Sequence, residues 1–316
     1  MARACDLAAK GEGHTRPNPP VGAVVVKGGR IVGRGYHARA GESHAETAAL
    51  SDCRVSPRGS TLYVTLEPCS RPGRVGACTD AIIAAGVKKV VYGMPDPNPA
   101  NRGRAKRILA RAGIECVDFS KESGECEACR AIRHMMAPFA KHVTSGLPFV
   151  TVKIAMSLDG MACDRFGDAK WISSEGSRAA TGDLRRCCDA IMVGAGTIRK
   201  DDPSLLWHAG ENGDLIRVVI SKSGKLPSRA RVFTDGKNPT LVFRSPREAM
   251  EKLGGMGCLH VLCEGGLSLA RSMAEQGFVD RWISVVAPIV VGSRRIGEAF
   301  RFAGGADSFV FCGEEV

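Results

Sequence analysis

The chain has no apolar run approaching the roughly twenty residues needed to cross a bilayer. Its apolar stretches, such as 21–26, 89–92 and 285–291, are strand-length, so a membrane protein is excluded from the expectation. Aromatic residues make up only 5% of the 316 residues, which leaves little material for a base-stacking platform. Negative charge is also in deficit: 33 acidic against 44 basic residues gives a net charge of +11. The basic residues are dispersed rather than clustered. They fit small anionic substrates or a solvated surface better than a nucleic-acid partner. No Gly-x-Gly-x-x-Gly fingerprint follows a strand, so a Rossmann domain is not indicated. Internal repeats and low-complexity tracts are missing as well.

Cysteine, by contrast, is plentiful. Thirteen in a chain of this length, an odd number, read as thiols and metal ligands rather than a disulfide framework. The N-terminal Met-Ala-Arg-Ala-Cys-Asp puts an acid where a signal peptide would start its apolar stretch, so a cytoplasmic location is expected. Hydrophobic content of 44% with 24% charged residues is that of a globular protein long enough for two cores.

The first half alternates strand and helix signals. Runs at 21–26 and 31–35 flank Lys27-Gly28-Gly29-Arg30 and predict a hairpin. A helix is expected over 43–50, with Ser43 as N-cap and Glu46 at capping-box spacing. A strand at 61–66, a helix at 79–85, a strand at 89–94 and a helix at 104–112 follow, the pattern of a layered α/β domain. A helical stretch over 122–142 leads to Ser145-Gly146-Leu147-Pro148, a turn-rich break that places one domain at 1–145 and another at 146–316. Strands are expected in the second at 149–155, 190–193, 216–221, 240–243, 259–263 and 282–287. Helices are expected at 174–186 and 267–276.

The strongest chemical signal is His44-Ala45-Glu46, Glu67-Pro68-Cys69 and Cys78. One imidazole and two thiolates are three good zinc ligands and leave the fourth tetrahedral position for water, whose pKa zinc lowers toward neutrality. Glu46, two residues from a ligand, can shuttle protons to a leaving amine, as in the His-x-Glu and Pro-Cys signature of zinc deaminases. A closed structural zinc site would want a fourth protein donor; Cys53 is the nearest and reads as core. Cys126-x-x-Cys129 with His134 has no matching second pair and reads as packing cysteines.

Pro17-Asn18-Pro19-Pro20-Val21-Gly22, Gly35-Tyr36-His37, the zinc motifs and Asp96-Pro97-Asn98-Pro99 resemble the bifunctional deaminase/reductase family of riboflavin biosynthesis. The eight residues between Cys69 and Cys78 are that family's spacing too. The resemblance implies an α/β protein: a cytidine-deaminase-like α/β/α layered domain, then a dihydrofolate-reductase-like α/β domain. It implies zinc on His44, Cys69 and Cys78, Glu46 as catalytic proton shuttle, and substrate contacts from Asn18, His37, Arg74, Asp96 and Asn98. Arg71 replaces the family's usual histidine, and Gly76-Ala77 a common Pro-Pro, which should loosen the loop carrying Cys78.

In the second half, Lys170-Trp171-Ile172-Ser173, Leu184-Arg185, Gly194-Ala195-Gly196-Thr197, Asp201-Asp202-Pro203 and Cys263-Glu264-Gly265-Gly266-Leu267-Ser268 stand in family order. By resemblance NADPH meets Ala155, Trp171, Thr197, Asp201 and the run Gly266, Leu267, Ser268, Leu269, Ala270, Arg271 and Ser272. Backbone N–H groups at the start of that helix suit a dinucleotide phosphate. The sugar-phosphate substrate meets Lys153, Arg185, Leu205, His208 and Glu264. Ala169, Lys222 and His208 depart from the family pattern. If His208 does not touch the substrate phosphate, Arg217 is the alternative.

The implied function is zinc-dependent deamination of a diaminopyrimidinone ribose phosphate, then NADPH-dependent reduction of ribosyl to ribityl. A nucleoside or tRNA deaminase with an unrelated second domain, and a chain whose reductase half is a non-catalytic binding domain, are the alternatives. The expected partner is the small phosphorylated pyrimidine, without nucleic acid or membrane; a homo-oligomer is compatible with the sequence.

Overall fold

The computed structural model describes residues 1–71, 76–167, 172, 174–206, 214–293, 300–301 and 309–314. Arg74, Trp171 and His208 lie outside them. The chain divides into two compact units, Met1–Gly146 and Leu147–Val316.

In the first unit, helix α1 (Ala2–Ala8) precedes the hairpin of β1 (Gly22–Lys27) and β2 (Arg30–Tyr36). Then come α2 (Ala45–Ser51), β3 (Thr61–Val64), α3 (Cys78–Ala84), β4 (Lys89–Tyr92), α4 (Arg104–Arg111) and β5 (Glu115–Asp118). The short α5 (Phe119–Glu122) and the long α6 (Glu127–Ser145) close the unit. The sheet order is β2-β1-β3-β4-β5, with β1 antiparallel to both neighbours and β3, β4 and β5 parallel. Lys27 pairs with Arg30 across Gly28 and Gly29, whose φ of +54° and +75° suit a two-residue turn that needs positive φ at both positions.

The core under this sheet gathers Val25, Leu62, Val64, Ile82, Val90 and Leu109, each worth roughly 1.5–3 kcal/mol by burial. Two glycines set how closely α2 approaches. A Cβ on Gly33 would stand 2.2 Å from the Ala49 carbonyl oxygen, and one on Gly35 would stand 2.3 Å from the Ala49 nitrogen. Any side chain there would push α2 off the sheet, and with it His44 and Glu46 at its start.

Two sequence expectations shift. The N-cap of α2 is His44, extended at φ −69° and ψ 159° and without a side-chain cap bond, so the capping box on Ser43 does not form. The Ser43 carbonyl instead faces His37 Nδ1 at 3.2 Å. The stretch expected as one helix over 122–142 breaks at residues 123–126: α5 ends at Glu122, and α6 starts afresh with Cys126 as its cap.

The second unit runs β6 (Phe149–Ser157), α7 (Glu175–Arg186), β7 (Ala190–Gly194), α8 (Ala195–Asp201) and β8 (Ile216–Ile220). It continues with α9 (Arg231–Thr234), β9 (Thr240–Phe243), α10 (Pro246–Gly255), β10 (His260–Cys263), α11 (Leu267–Glu275) and β11 (Arg281–Ala287). The last strands are β12 (Ile289–Val290), β13 (Phe300–Arg301) and β14 (Phe309–Glu314). The main sheet has the order β14-β11-β6-β10-β7-β8-β9, parallel except for β14. Strands buried on both faces read as continuous apolar runs, and β8 is buried throughout. From β7 the chain moves to β8 on one side; from β10 it moves to β11 on the other. Connections that part in this way open a crevice beyond the strand ends.

The Ser-Leu-Asp-Gly turn after β6 is a staple. The Asp159 carboxylate accepts from the Val291 and Gly292 N–H groups at 3.1 and 2.7 Å and from the Ser157 hydroxyl at 2.6 Å. These bonds hold its carboxyl down at about 2. Among the described residues no helix is long and apolar enough to cross a membrane.

Candidate active sites

In the first unit, His44 caps α2, Cys78 opens α3, and Cys69 follows β3 through Glu67-Pro68. The His44 Nδ1 lies 3.3 Å from Cys78 Sγ and 3.4 Å from Cys69 Sγ, and the donor atoms of all three lie within 4.8 Å of one another. Donors bound at zinc distances around one tetrahedral ion stand about 3.6 Å apart, so the three residues fit zinc with little movement. The Cys78 N–H donates to Cys69 Sγ at 3.3 Å. Hydrogen bonds from the Cys78 side chain and from His44 pull the Cys69 thiol well below its ordinary value, while contact with Cys69 raises His44. The shared proton this implies is what a metal displaces on binding. Cys53 donates to the Ala49 carbonyl at 3.3 Å and belongs to the packing around the core.

Glu46 is 3% exposed, and the surrounding protein groups, burial first among them, push its carboxyl up to about 7. A group poised near neutrality is suited to move protons in both directions. His37 is buried beside His44, with ring centroids 5.2 Å apart. Its Nδ1 faces a carbonyl, the Ser43 oxygen, and must carry the hydrogen. Its Nε2 then accepts from Asn18 Nδ2 at 3.1 Å. Burial lowers the His37 pKa and favours this neutral tautomer.

Asp96 and Asn98 build a loop rather than point free carboxylate and amide groups at a ligand. Asp96 accepts from the Asn98 N–H at 2.8 Å and from Asn101 Nδ2 at 3.1 Å, and Asn98 Oδ1 accepts from the Ala100 N–H at 3.0 Å. Beneath them Glu67, 3% exposed, accepts from the Asp96 and Gly103 N–H groups at 3.2 and 2.9 Å. In the sequence Glu67 stands out only as part of the Glu67-Pro68-Cys69 motif. Its signal was a carboxylate closing an apolar strand, where only a fixed set of donors makes burial tolerable. Gly76, where the family often has proline, takes φ +79°, a value closed to proline.

In the second unit, β6 pairs with β10 so that Val152 faces Cys263, and the next residues along are Lys153 and Glu264. Arg185, near the end of α7, meets Glu264 through Nε–Oε1 at 2.6 Å and Nη2–Oε2 at 2.8 Å, and gives Nη1 to the Leu206 carbonyl at 2.9 Å. Burial lowers the Lys153 pKa; Glu264 opposes that shift and Arg185 adds to it. Lys153, Arg185 and Glu264 therefore form one cluster. Leu205 is 2% exposed in the core and has φ +52°, so it can offer a ligand only its backbone.

Arg217, the alternative to His208 as phosphate ligand, is corrected by its surroundings. It is 1% exposed and binds Asp235 at 2.6 and 3.0 Å, the Ser204 carbonyl at 3.2 Å and the Asn238 carbonyl. Its charge is spent on Asp235, with two carbonyls completing its partners.

At the crevice, Gly194 caps α8 and Gly266 caps α11, both extended, and a Cβ on either would meet nothing within 4 Å. This open, backbone-lined space beside two helix starts fits a dinucleotide phosphate. Ala155 and Thr197 are half-buried, and Asp201 is exposed at the end of α8. The α11 run divides. Leu269 and Ala270 face the core and their N–H groups donate to the Gly266 carbonyl at 2.9 and 3.2 Å. Arg271 pairs with Glu275 at 2.7 Å, and Ser272 takes a bond from Gln276 at 3.1 Å. The N–H groups presented to the crevice are those of Leu267 and Ser268.

A zinc-type donor set with a buried carboxylate in one unit, and an α/β crevice in the other, define a two-domain deaminase/reductase class. Residues 1–94 match the cytidine and deoxycytidylate deaminase zinc-binding region, and residues 148–301 match the RibD C-terminal domain. The chain is 38% identical to the riboflavin biosynthesis protein RibD of Aquifex aeolicus (strain VF5), over 92% of this chain and 87% of that one. It is 34% identical to RibD of Escherichia coli (strain K12), over 93% and 88%. Among solved structures, a diaminohydroxyphosphoribosylaminopyrimidine deaminase/5-amino-6-(5-phosphoribosylamino)uracil reductase from Thermotoga maritima superposes with TM-score 0.84 at 33% identity, covering 93% of this chain and 87% of that one. Acinetobacter baumannii RibD gives 0.80 at 30%, covering 97% and 91%. The chain belongs to the RibD family of riboflavin biosynthesis proteins. Its fold is the expected pairing of a cytidine-deaminase-like domain with a dihydrofolate-reductase-like one.

Proposed function

We propose that this chain performs two consecutive steps of riboflavin biosynthesis. The first unit hydrolyses 2,5-diamino-6-ribosylamino-4(3H)-pyrimidinone 5′-phosphate at C2; the second reduces the ribosyl group of the product to a ribityl chain. What carries the reading is the convergence of His44, Cys69 and Cys78 beside buried Glu46. When bound, zinc supplies an activated water and NADPH supplies a hydride.

In the first step Glu46 takes a proton from the attacking water and returns it to the amine; the C2–N bond breaks, a C2 carbonyl forms and ammonia leaves. Asn18 and neutral His37, tied to each other at 3.1 Å, hold the pyrimidine edge. The 94–103 loop, braced by Glu67, meets the sugar phosphate; Arg74, which the family resemblance also assigns to it, lies outside the described residues. In the second step Gly194, Thr197 and the start of α11 hold the cofactor. Lys153 binds the sugar phosphate, and Arg185 fixes Glu264 against the ribose. Bound there, NADPH would supply the hydride for C1′ of the open-chain sugar, with the accompanying proton drawn from solvent.

A cytoplasmic location belongs to the same proposal, and so does assembly with a second copy of the chain. The test is mass spectrometry of the products from the zinc-loaded chain. Without NADPH the amino group at C2 should be replaced by oxygen; with NADPH the product should gain two hydrogens. Conversion of cytidine or adenosine in preference to the phosphorylated diaminopyrimidine would overturn the first step. A deaminated product that NADPH leaves unchanged would overturn the second.

A further inference from the structure

The break between α5 and α6 places two thiols together well away from the zinc ligands in sequence. Cys126 is the N-cap of α6, in extended conformation at φ −128° and ψ 165°, and its Sγ accepts the Cys129 N–H at 3.3 Å. This is the post usually held by serine, threonine or aspartate. The two sulfurs lie 3.1 Å apart, and the Ser123 hydroxyl stands 3.2 Å from Cys129 Sγ. An S–S bond of about 2.05 Å therefore needs the sulfurs to close by roughly 1 Å.

Exposure divides the two roles. Cys126 is half-exposed and open to a reagent, whereas Cys129 is 2% exposed and reachable only through its partner. The charges around them come from α5, the break and α6. Glu125, the nearest acid in the break, is engaged by Arg133 at 2.5 Å and by Arg130 at 3.8 Å. Lys121 and Glu122 on α5, with Glu127 on α6, are exposed to solvent. Bonds from the Cys129 thiol and N–H lower the Cys126 pKa. Cys5, the third thiol nearby, is pushed up to about 11 by burial and stays protonated. Among the described residues the pair is not part of any three-donor metal cluster, so a second zinc site is not built here.

We propose that Cys126 and Cys129 form an exchange-active dithiol that reduces low-molecular-weight disulfides, with Cys126 attacking and Cys129 resolving. The Cys126 thiolate attacks one sulfur of the small disulfide; that S–S bond breaks, one thiolate leaves, and a mixed disulfide forms on Cys126. Cys129 then loses its proton to water and attacks Cys126 Sγ, expelling the second thiolate. Two protein thiols are oxidised to one disulfide and one small disulfide is reduced to two thiols. This is distinct from deamination and from nicotinamide-dependent reduction, and it uses none of their residues.

The test treats the zinc-loaded full chain with oxidised glutathione, quenches with acid, and digests with trypsin without reductant. Both cysteines fall in the single peptide 122–130. The wild type should yield this peptide lighter by two hydrogens. C129S should hold a lasting glutathione adduct on Cys126, and C126S should show neither product. Cys126 should react about tenfold faster or more than the exposed Cys163 in the same digest, the margin expected of a thiol with a lowered pKa. A lasting adduct on wild-type Cys126 without the internal disulfide overturns the resolving role. Equal rates at Cys126 and Cys163 overturn the attacking role.

Discussion

Arg185 grips the Glu264 carboxylate with two of its nitrogens, at 2.6 and 2.8 Å, in a setting where the side chains are only 15% and 12% exposed. A two-pronged pair of this kind fixes the plane of the carboxylate as well as its charge. It also makes each partner costly to remove, because the survivor is left buried and unpaired.

Arg185→Gln should therefore do two things. The second unit should lose roughly 3 kcal/mol of stability, read from urea denaturation. Reduction should fall while ammonia release by the first unit is retained. Unchanged reduction in this variant would remove the pair from the reductase site.

In the first unit, His44→Ala should lose zinc, measured by metal analysis of the purified chain; full retention would overturn the ligand assignment. Glu46→Gln should keep zinc and lose deamination by roughly 10²- to 10⁴-fold, the range typical of general acid–base catalysis. Its reduction of the deaminated intermediate should survive. Near-normal ammonia release from this variant would take Glu46 out of the chemistry.

How much of this could be read beforehand depended on how local the signal was. The zinc donors were legible because three ligand types and a carboxylate stand in order along the chain, and a metal needs only donors and spacing. The role of Gly33 and Gly35 was not, because it lies in the distance to Ala49 on another element. Arg217 misled for a related reason: a basic residue near a phosphate motif reads as a ligand until Asp235 and two carbonyls are found around it. How the α11 run divides was not legible, since only the folded helix shows Leu269 and Ala270 turned to the core. The capping role of Cys126 was not legible, because a cap is defined by backbone angles that composition does not carry.

The preference expected for NADPH over NADH can be tested at one charge. Lys222 is exposed just beyond β8, next to buried Ser221. A cation there can meet the 2′-phosphate that distinguishes NADPH from NADH. Lys222→Ala should lower kcat/KM for NADPH by about tenfold, the loss of one modest charge-assisted bond, with little change for NADH. Equal efficiency of the wild type with both cofactors sinks the assignment.

Lys153 links stability and binding to pH with opposite signs. Burial, with help from Arg185, lowers its pKa from 10.5, and Glu264 only partly restores it. Below the lowered value both folded and unfolded chains hold the proton, and the cost of burying the ammonium is fully present. Between that value and 10.5 the folded chain has released the proton while the unfolded chain still holds it, so unfolding takes up a proton. Stability of the second unit should therefore rise with pH across this window. Binding runs the other way, because the substrate phosphate is attracted only by the charged form. Its KM in the reduction step should climb as pH passes through the lowered pKa. Lys153→Met removes both slopes: denaturation midpoints should become less dependent on pH in the window, and KM should be high throughout. If wild type and variant share the same KM profile, Lys153 does not meet the phosphate. If they share the same stability slope, its proton is not the one being released.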